Sequence, residues 1–318
     1  MHVTVPLSWL KHPFLKNAFV IKSQDQIDKL IAHGITEVVI DRSREEQIAG
    51  APARQTVGTS DPAWTPPRTW NPATLVPPEL PEAIHDSSLS PEKRSRLVYA
   101  SSRVLVERLF EDPKAENIRE AKRGIADIVD MIIADDATSS AMLKITTHDF
   151  YTYTHSVNVG VFAIMLAKAL FRGSDAHDMH ELGAGLFLHD IGKVHIDPGI
   201  INKPGRLTDD EWGIIRSHPD RGYQILKDTE QLSTECMLIV MQHHEREDGT
   251  GYPLGLKGNE IHTYGRICCI ADVYDALTAE RSYKQRLSPF VALTLMKEQM
   301  LDHFRKDMFE TFVRLFTE

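Results

Sequence analysis

Histidines and aspartates embedded in apolar helical segments constrain this chain more than any other feature. At His243-His244-Glu245-Arg246-Glu247-Asp248-Gly249-Thr250-Gly251-Tyr252-Pro253, two adjacent imidazoles run into a glycine-rich turn. Upstream lie His155, the pair His189-Asp190 and His218; downstream, Asp272 sits within Ala271-Asp272-Val273-Tyr274-Asp275-Ala276-Leu277. Five imidazoles and two carboxylates, spread over several helices, form the ligand inventory of a two-metal hydrolytic site. Each motif alone is a weak signal, because a single histidine on an apolar face is ordinarily a hydrogen-bonded core residue. The set is what carries the reading.

His155 lies on a helix expected over 149–171, at the edge of an apolar face formed with Val159 and Phe162. In Leu186-Phe187-Leu188-His189-Asp190-Ile191-Gly192-Lys193 an apolar helix delivers an imidazole and a carboxylate near its end, and Gly192 ends the turn. Adjacent helical residues point about 100° apart, so both reach a metal only off the helix end. Asp190 has two oxygens and can bridge two cations, whereas each histidine gives one nitrogen to one metal. Lys193 is placed to neutralise a phosphate oxygen. His218-Pro219 follows a capped helix over 209–217, and His243-His244 ends the apolar segment 237–241. Asp272 lies inside an otherwise apolar helix over 267–277, where an unpaired carboxylate would be costly. Imidazole plus carboxylate without thiolate suits iron or manganese, with zinc, cobalt and nickel compatible.

Three textures divide the chain. Residues 1–45 carry short apolar runs at 3–7, 18–21 and 37–40 around an amphipathic stretch at 23–33, which predicts a small mixed α/β module. Residues 46–90 are proline-rich with little periodicity and read as a semi-extended connector. From Ser90-Pro91 the pattern is helical: connecting helices over 91–140, then a mainly α domain over 141–318. Thr208-Asp209-Asp210-Glu211 is a capping box, and Ser288-Pro289 opens a helix toward His303.

The balance of 36 Lys+Arg against 45 Asp+Glu, a net charge of −9, argues against binding of a DNA or RNA polymer. Cys236, Cys268 and Cys269 form no C-x-x-C pair and read as buried apolar residues. No leader pattern is visible, and no apolar run approaches the ~18 residues of a membrane span, so the cytoplasm is the expected location.

Residues 150–286 resemble the HD-GYP family of bacterial cyclic-dinucleotide phosphodiesterases. The likeness rests on His155-Ser156, Leu188-His189-Asp190-Ile191-Gly192-Lys193, Asn202-Lys203-Pro204-Gly205-Arg206-Leu207-Thr208, His218-Pro219 and His243-His244-Glu245. It continues through Asp248-Gly249-Thr250-Gly251-Tyr252-Pro253, the 271–277 segment and Arg281-Ser282-Tyr283-Lys284. The resemblance implies an all-helical HD bundle holding two divalent metals bridged by Asp190. His155, His189 and Asp272 would complete one metal, and His218, His243 and His244 the other. Lys193, Arg281 and Lys284 match positions that hold substrate phosphates, and Gly251-Tyr252-Pro253 shapes the loop beside them. Some members carry a glutamate four residues before the first histidine, which helps hold a third metal; that position here is Tyr151, so two metals are expected. His148, roughly on the same face, reads as a solvated or capping residue. The N-terminal region is similar to a module of unknown function found ahead of HD-GYP domains, through Trp9, His12-Pro13-Phe14, Phe19, Ile27, Leu30, Gly34 and Ile40-Asp41.

The implied reaction is hydrolysis of cyclic di-GMP to linear pGpG, with further cleavage to GMP left open. A metal-bridging hydroxide would attack phosphorus in line with the leaving 3′-oxygen. No Ser-His-Asp or Cys-His nucleophile arrangement is present. Two alternatives stay open: the same chemistry on 3′,3′-cGAMP, and a weakly active receptor whose GYP loop docks on a diguanylate cyclase. A generic HD nucleotidase fits the GYP loop, Arg281 and Lys284 poorly. A homodimer through the amphipathic stripe of 90–110 is compatible with the pattern, as is packing of that stripe within the chain.

Overall fold

The structure, a computed structural model, describes residues 68–145, 152–203, 205–279 and 286–316, and the backbone of 2–4, 18–20 and 39–40. The chain divides into two compact units, Met1–Trp64 and Thr65–Glu318. In the first, β1 (His2–Thr4), β2 (Ala18–Val20) and β3 (Val39–Ile40) form an antiparallel sheet in the order β2-β1-β3. Val3 sits opposite Phe19 on one side and Ile40 on the other. Each strand overlaps one of the apolar runs marked in the sequence. The helix expected over 23–33, which would make the module mixed α/β, lies outside the described residues.

The second unit is helical throughout its described residues. Its helices are α1 (Glu79–His85), α2 (Pro91–Glu111), α3 (Ala115–Ala134), α4 (Asp136–Ile145), α5 (Thr152–Leu170), α6 (Met179–Phe187) and α7 (Pro198–Ile201). Then follow α8 (Asp209–Arg216), α9 (His218–Thr229), α10 (Thr234–Gln242), α11 (Thr263–Thr278), α12 (Pro289–Gln299) and α13 (Lys306–Arg314). Local signals set many of the boundaries. Ser90 accepts from the Lys93 amide with Pro91 in the first turn of α2, Asp178 accepts from two amides to start α6, and Thr208 and Glu211 cap each other at α8.

At the centre is α5, packed against α2, α6 and α11. Every residue from Thr154 to Ala167 is buried, so the helix has no solvent face. This corrects the placement of His155 at the edge of an apolar face: His155, Ser156 and Asn158 are all inside, and their polar atoms must be answered there. The apolar stripe of α2, through Val98, Leu105, Val106 and Leu109, is covered within the chain.

The described part of the proline-rich stretch, 68–90, is folded rather than a semi-extended connector, and 46–67 lie outside the described residues. Asn71 caps a 3-10 turn at Pro72–Thr74, α1 follows, and Leu75 and Leu80 are fully buried. Trp70 donates its indole N–H to Glu111 at 2.7 Å and lies under the guanidinium of Arg108. Pro72, Pro78 and Pro81 fall at caps or first turns, where no intrahelical N–H is needed. Two short elements rich in proline leave too few apolar positions for a period to show.

Leu80→Ala should lower unfolding free energy by about 2–5 kcal/mol in a urea titration of the full chain. A change below about 0.5 kcal/mol, the range of surface substitutions, would show that α1 is not part of the core.

Candidate metal centre

Helix α6 ends at Phe187, and His189 and Asp190 stand in the turn that leads into a 3-10 helix at Ile191–His195. This turn lies directly on the start of α9. A Cβ on Gly192 would stand 2.0 Å from the His218 carbonyl oxygen. Gly192 is therefore not a simple turn-ender, as the sequence reading had it. Its lack of a side chain lets the turn and α9 touch, which brings Asp190 beside His218. His218 opens α9, His243 caps the end of α10, and Asp272 projects from α11.

The two oxygens of Asp190 face different partners. Oδ1 is 3.2 Å from His218 Nε2 and 3.7 Å from His243 Nε2. Oδ2 is 3.4 Å from His155 Nε2, 3.6 Å from His189 Nε2 and 2.5 Å from Lys193 Nζ. Asp272 also straddles the two groups, with Oδ1 3.1 Å from His155 Nε2 and Oδ2 3.4 Å from His244 Nδ1. Two donor sets of metal-binding compactness result: Asp190 with His218, His243 and His244, and Asp190 with His155 and His189.

The protonation pattern shows that these residues suit cations. His189, His218 and His243 each direct Nδ1 at the backbone carbonyl three residues earlier, Leu186, Ile215 and Val240, at 2.9, 2.7 and 2.8 Å. A carbonyl only accepts, so Nδ1 carries the hydrogen and a neutral ring presents a lone pair at Nε2. Yet His218 Nε2 and His243 Nε2, both without a proton, stand 3.0 Å apart beside Asp190 Oδ1. Asp190 Oδ1 is buried and accepts no hydrogen bond among the described residues. Lone pairs converging on a buried carboxylate repel unless positive charge lies among them. The cysteines take no part: burial pushes the Cys269 thiol up to about 12, and Cys236 and Cys268 are likewise raised and buried.

Electrostatics separates the imidazoles. Burial, with His244, His189 and His218 nearby, holds His243 well below the usual histidine range. Burial likewise lowers His189, and takes His244 down to about 3. Burial also opposes charge on His155, but hydrogen bonds to Asp272 and Asp275 outweigh it and hold this ring up at about 9. Burial opposes ionisation of Asp190 too, and the Lys193 ammonium beside it overcomes this, leaving the carboxyl well below its ordinary range.

The Gly251-Tyr252-Pro253 turn forms a wall of the site. The Tyr252 ring stacks on His244 with centroids 4.5 Å apart, and the Arg216 guanidinium covers Tyr252 at 4.7 Å. A Cβ on Gly251 would meet the Glu245 Cα and the Arg246 nitrogen at 2.5 Å, so the loop must fold back on the histidine pair without a side chain there. Glu245, 1% exposed, accepts from the amides of Leu254 and Leu256 at 2.7 and 2.9 Å and fastens the loop from inside. Glu245, Arg216 and Asp275 were given no role in the sequence reading. The signal for Asp275 was present, since it lies three residues after Asp272 on one helix face; Arg216 carries no local signal. Arg281, Lys284, Tyr151 and His148 lie outside the described residues.

A bundle with a buried histidine–aspartate centre of this kind defines a class, and comparison with known proteins agrees. Residues 137–307 match the HD domain family, and residues 1–123 match a domain of unknown function, DUF3391. The chain is 32% identical over 315 residues to cyclic di-GMP phosphodiesterase PA4108 of Pseudomonas aeruginosa, covering 96% of this chain and 71% of that protein. It is 34% identical over 207 residues to the 3′3′-cGAMP-specific phosphodiesterase 3 of Vibrio cholerae, covering 62% of this chain and 44% of that protein. The solved structure of Bd1817, an HDG"Y"P protein from Bdellovibrio bacteriovorus, shares the fold with a TM-score of 0.64 at 21% identity, over 76% of this chain and 77% of that one. The chain belongs to the HD domain family, in its HD-GYP branch.

Two measurements check this geometry. An unfolded histidine titrates near about 6.5, so the stability from His155 is full below that pH and is lost as pH rises through about 9. The depressed imidazoles and carboxylates exert their effects at lower pH. Chelator-treated protein should therefore melt at falling temperature between about pH 7.5 and 9, and His155→Gln should flatten that slope. Separately, Glu245→Ala frees two loop amides and should destabilise the protein by about 1–3 kcal/mol, with faster proteolysis in the 246–258 loop.

Proposed function

We propose that this chain is a metal-dependent phosphodiesterase that opens cyclic di-GMP to linear pGpG, and onward to GMP. One observation carries the reading: each oxygen of buried Asp190 faces its own set of imidazole nitrogens. A carboxylate so placed would offer one oxygen to each of two cations. His155, His189 and Asp272 would hold one, and His218, His243 and His244 the other. Iron or manganese suits these hard and borderline donors, with zinc, cobalt or nickel as substitutes. When bound, the cations supply positive charge for phosphoryl oxygens and acidify water.

The chain's own groups do the rest. Lys193 brings a half-buried ammonium to the edge of the centre, where it offsets charge that develops on the phosphoryl group. Tyr252, held between His244 and Arg216, gives the dinucleotide a flat aromatic wall. Arg281 and Lys284 are assigned to its phosphates. The buried centre excludes bulk water and strengthens each of these electrostatic terms. Several curated relatives are named for cyclic di-GMP and others for 3′3′-cGAMP, which supports cyclic dinucleotides as the substrate class.

In domain terms, 141–318 is assigned as the catalytic domain, 91–140 as its connecting helices and 1–45 as a separate module. No helix among the described residues is long and apolar enough to cross a membrane, and action in the cytoplasm is part of the proposal. The adaptor reading has one supporting observation, the exposure of Leu254 (58%) just after the GYP turn, which suits docking on a diguanylate cyclase.

Protein loaded with manganese or iron under reducing conditions should hydrolyse cyclic di-GMP, with 3′,3′-cGAMP assayed beside it. Asp190→Ala should lose bound metal together with about 10³-fold or more of kcat. Tight binding of the dinucleotide without turnover by the metal-loaded protein would favour the adaptor.

A further inference from the structure

His189, His218 and His243 are oriented by backbone carbonyls, because each sits at a helix end or in a turn where such oxygens are available. His155 is different. It lies within α5, whose carbonyls serve the helix's own ladder. Its Nδ1–H is taken instead by Asp275 Oδ2 at 2.6 Å. The other Asp275 oxygen accepts from Asn158 Nδ2 at 2.7 Å, and Asn158 Oδ1 accepts from the Tyr99 hydroxyl at 2.6 Å. The carboxylate can only accept, which fixes the Asn158 amide with nitrogen toward Asp275 and oxygen toward the phenol. All four side chains are between 2% and 4% exposed.

Spacing places them. Asn158 stands three residues after His155 on α5, and Asp275 three residues after Asp272 on α11, so each supporter shares a helix face with a centre residue. The third helix is α2. Tyr99 on α2 falls within the 1–123 match to the domain of unknown function and outside the HD domain match at 137–307. The outermost member of the relay thus comes from the N-terminal family's segment.

We propose that Tyr99, Asn158 and Asp275 form a buried positioning relay that fixes the ring of His155 for one cation of the centre, and that α2 sets the affinity for that cation through Tyr99. The inference rests on the two-cation reading above. A carboxylate on the far nitrogen orients a ligating imidazole and raises its basicity more than a carbonyl does. The Asn158 amide, itself fixed by the Tyr99 phenol, in turn holds the carboxylate in place through its other oxygen. The relay's side chains are buried and bonded to one another and to His155, so these are positioning residues. A change in the tilt of α2 would reach His155 through three short hydrogen bonds.

The full chain, stripped with a chelator and titrated with Mn(II) while free ion is followed by electron paramagnetic resonance, tests this. Wild type should bind two ions. Asp275→Asn should weaken one of them by about 10–100-fold and leave the other within about twofold. Tyr99→Phe keeps the packing and should weaken the same ion by about 3–10-fold while the other ion stays within about twofold. Because Tyr99 acts through Asp275, the double variant should bind no more weakly than Asp275→Asn alone, whereas independent effects would multiply. Val106→Ala, which weakens α2 away from the relay, should leave both affinities unchanged. Tyr99→Phe binding like wild type, multiplicative losses in the double variant, or an equal loss from Val106→Ala would each overturn the relay. Wild type that binds no Mn(II) would overturn the two-cation reading itself.

Discussion

A carboxylate charge buried among imidazoles governs this molecule. Asp190 is 1% exposed, and the His189, His218 and His243 nitrogens around it present lone pairs rather than protons. Burying such a charge costs several kcal/mol unless compensating charge is supplied. Lys193 supplies one unit of it at Oδ2, and Oδ1 accepts no hydrogen bond among the described residues. The helical bundle holds an arrangement that is unfavourable in itself and that bound cations would relieve. Affinity for metal and the fold of the second unit are consequently linked, because the donors converge only when α5, α6, α9, α10 and α11 are packed.

That convergence depends on close approach of backbones. Gly192 lets the turn after α6 rest on α9, and Gly251 lets the loop after α10 fold back over its own histidines. A side chain at either position would push apart the elements that carry donors. Glu245 then secures the loop with two backbone amides, and Tyr252 extends the site outward from His244 toward Arg216. The buried α5 ties this site to the rest of the chain, since its polar residues face partners on α2 and α11.

Much of this architecture was legible locally. Caps at Ser90, Thr208 and Ser288 and the apolar periodicity placed the starts of α2, α8 and α12, because a capping side chain and the amides it serves are near neighbours in sequence. The folded turn and helix at 71–85 were missed, because their stability comes from Leu75, Leu80 and Trp70 packing on later helices rather than from a pattern of their own. The all-round burial of α5 was missed for a related reason: His155 and Asn158 look like a polar edge until α2 and α11 are seen to cover them.

The sequence by itself determined the donor chemistry. Histidines and aspartates in and at the ends of apolar helices, without thiolates, name a hard or borderline cation, and the glycine-tyrosine-proline loop names the branch of the family. Those facts are properties of residue type and spacing. The tertiary structure decided how the donors divide. That Asp190 turns one oxygen to His218 and His243 and the other to His155 and His189, and that a carboxylate rather than a carbonyl holds His155, depends on which helices cross and where. Direction in space is set by packing between elements more than a hundred residues apart, as His155 and Asp275 are, and no local pattern encodes it.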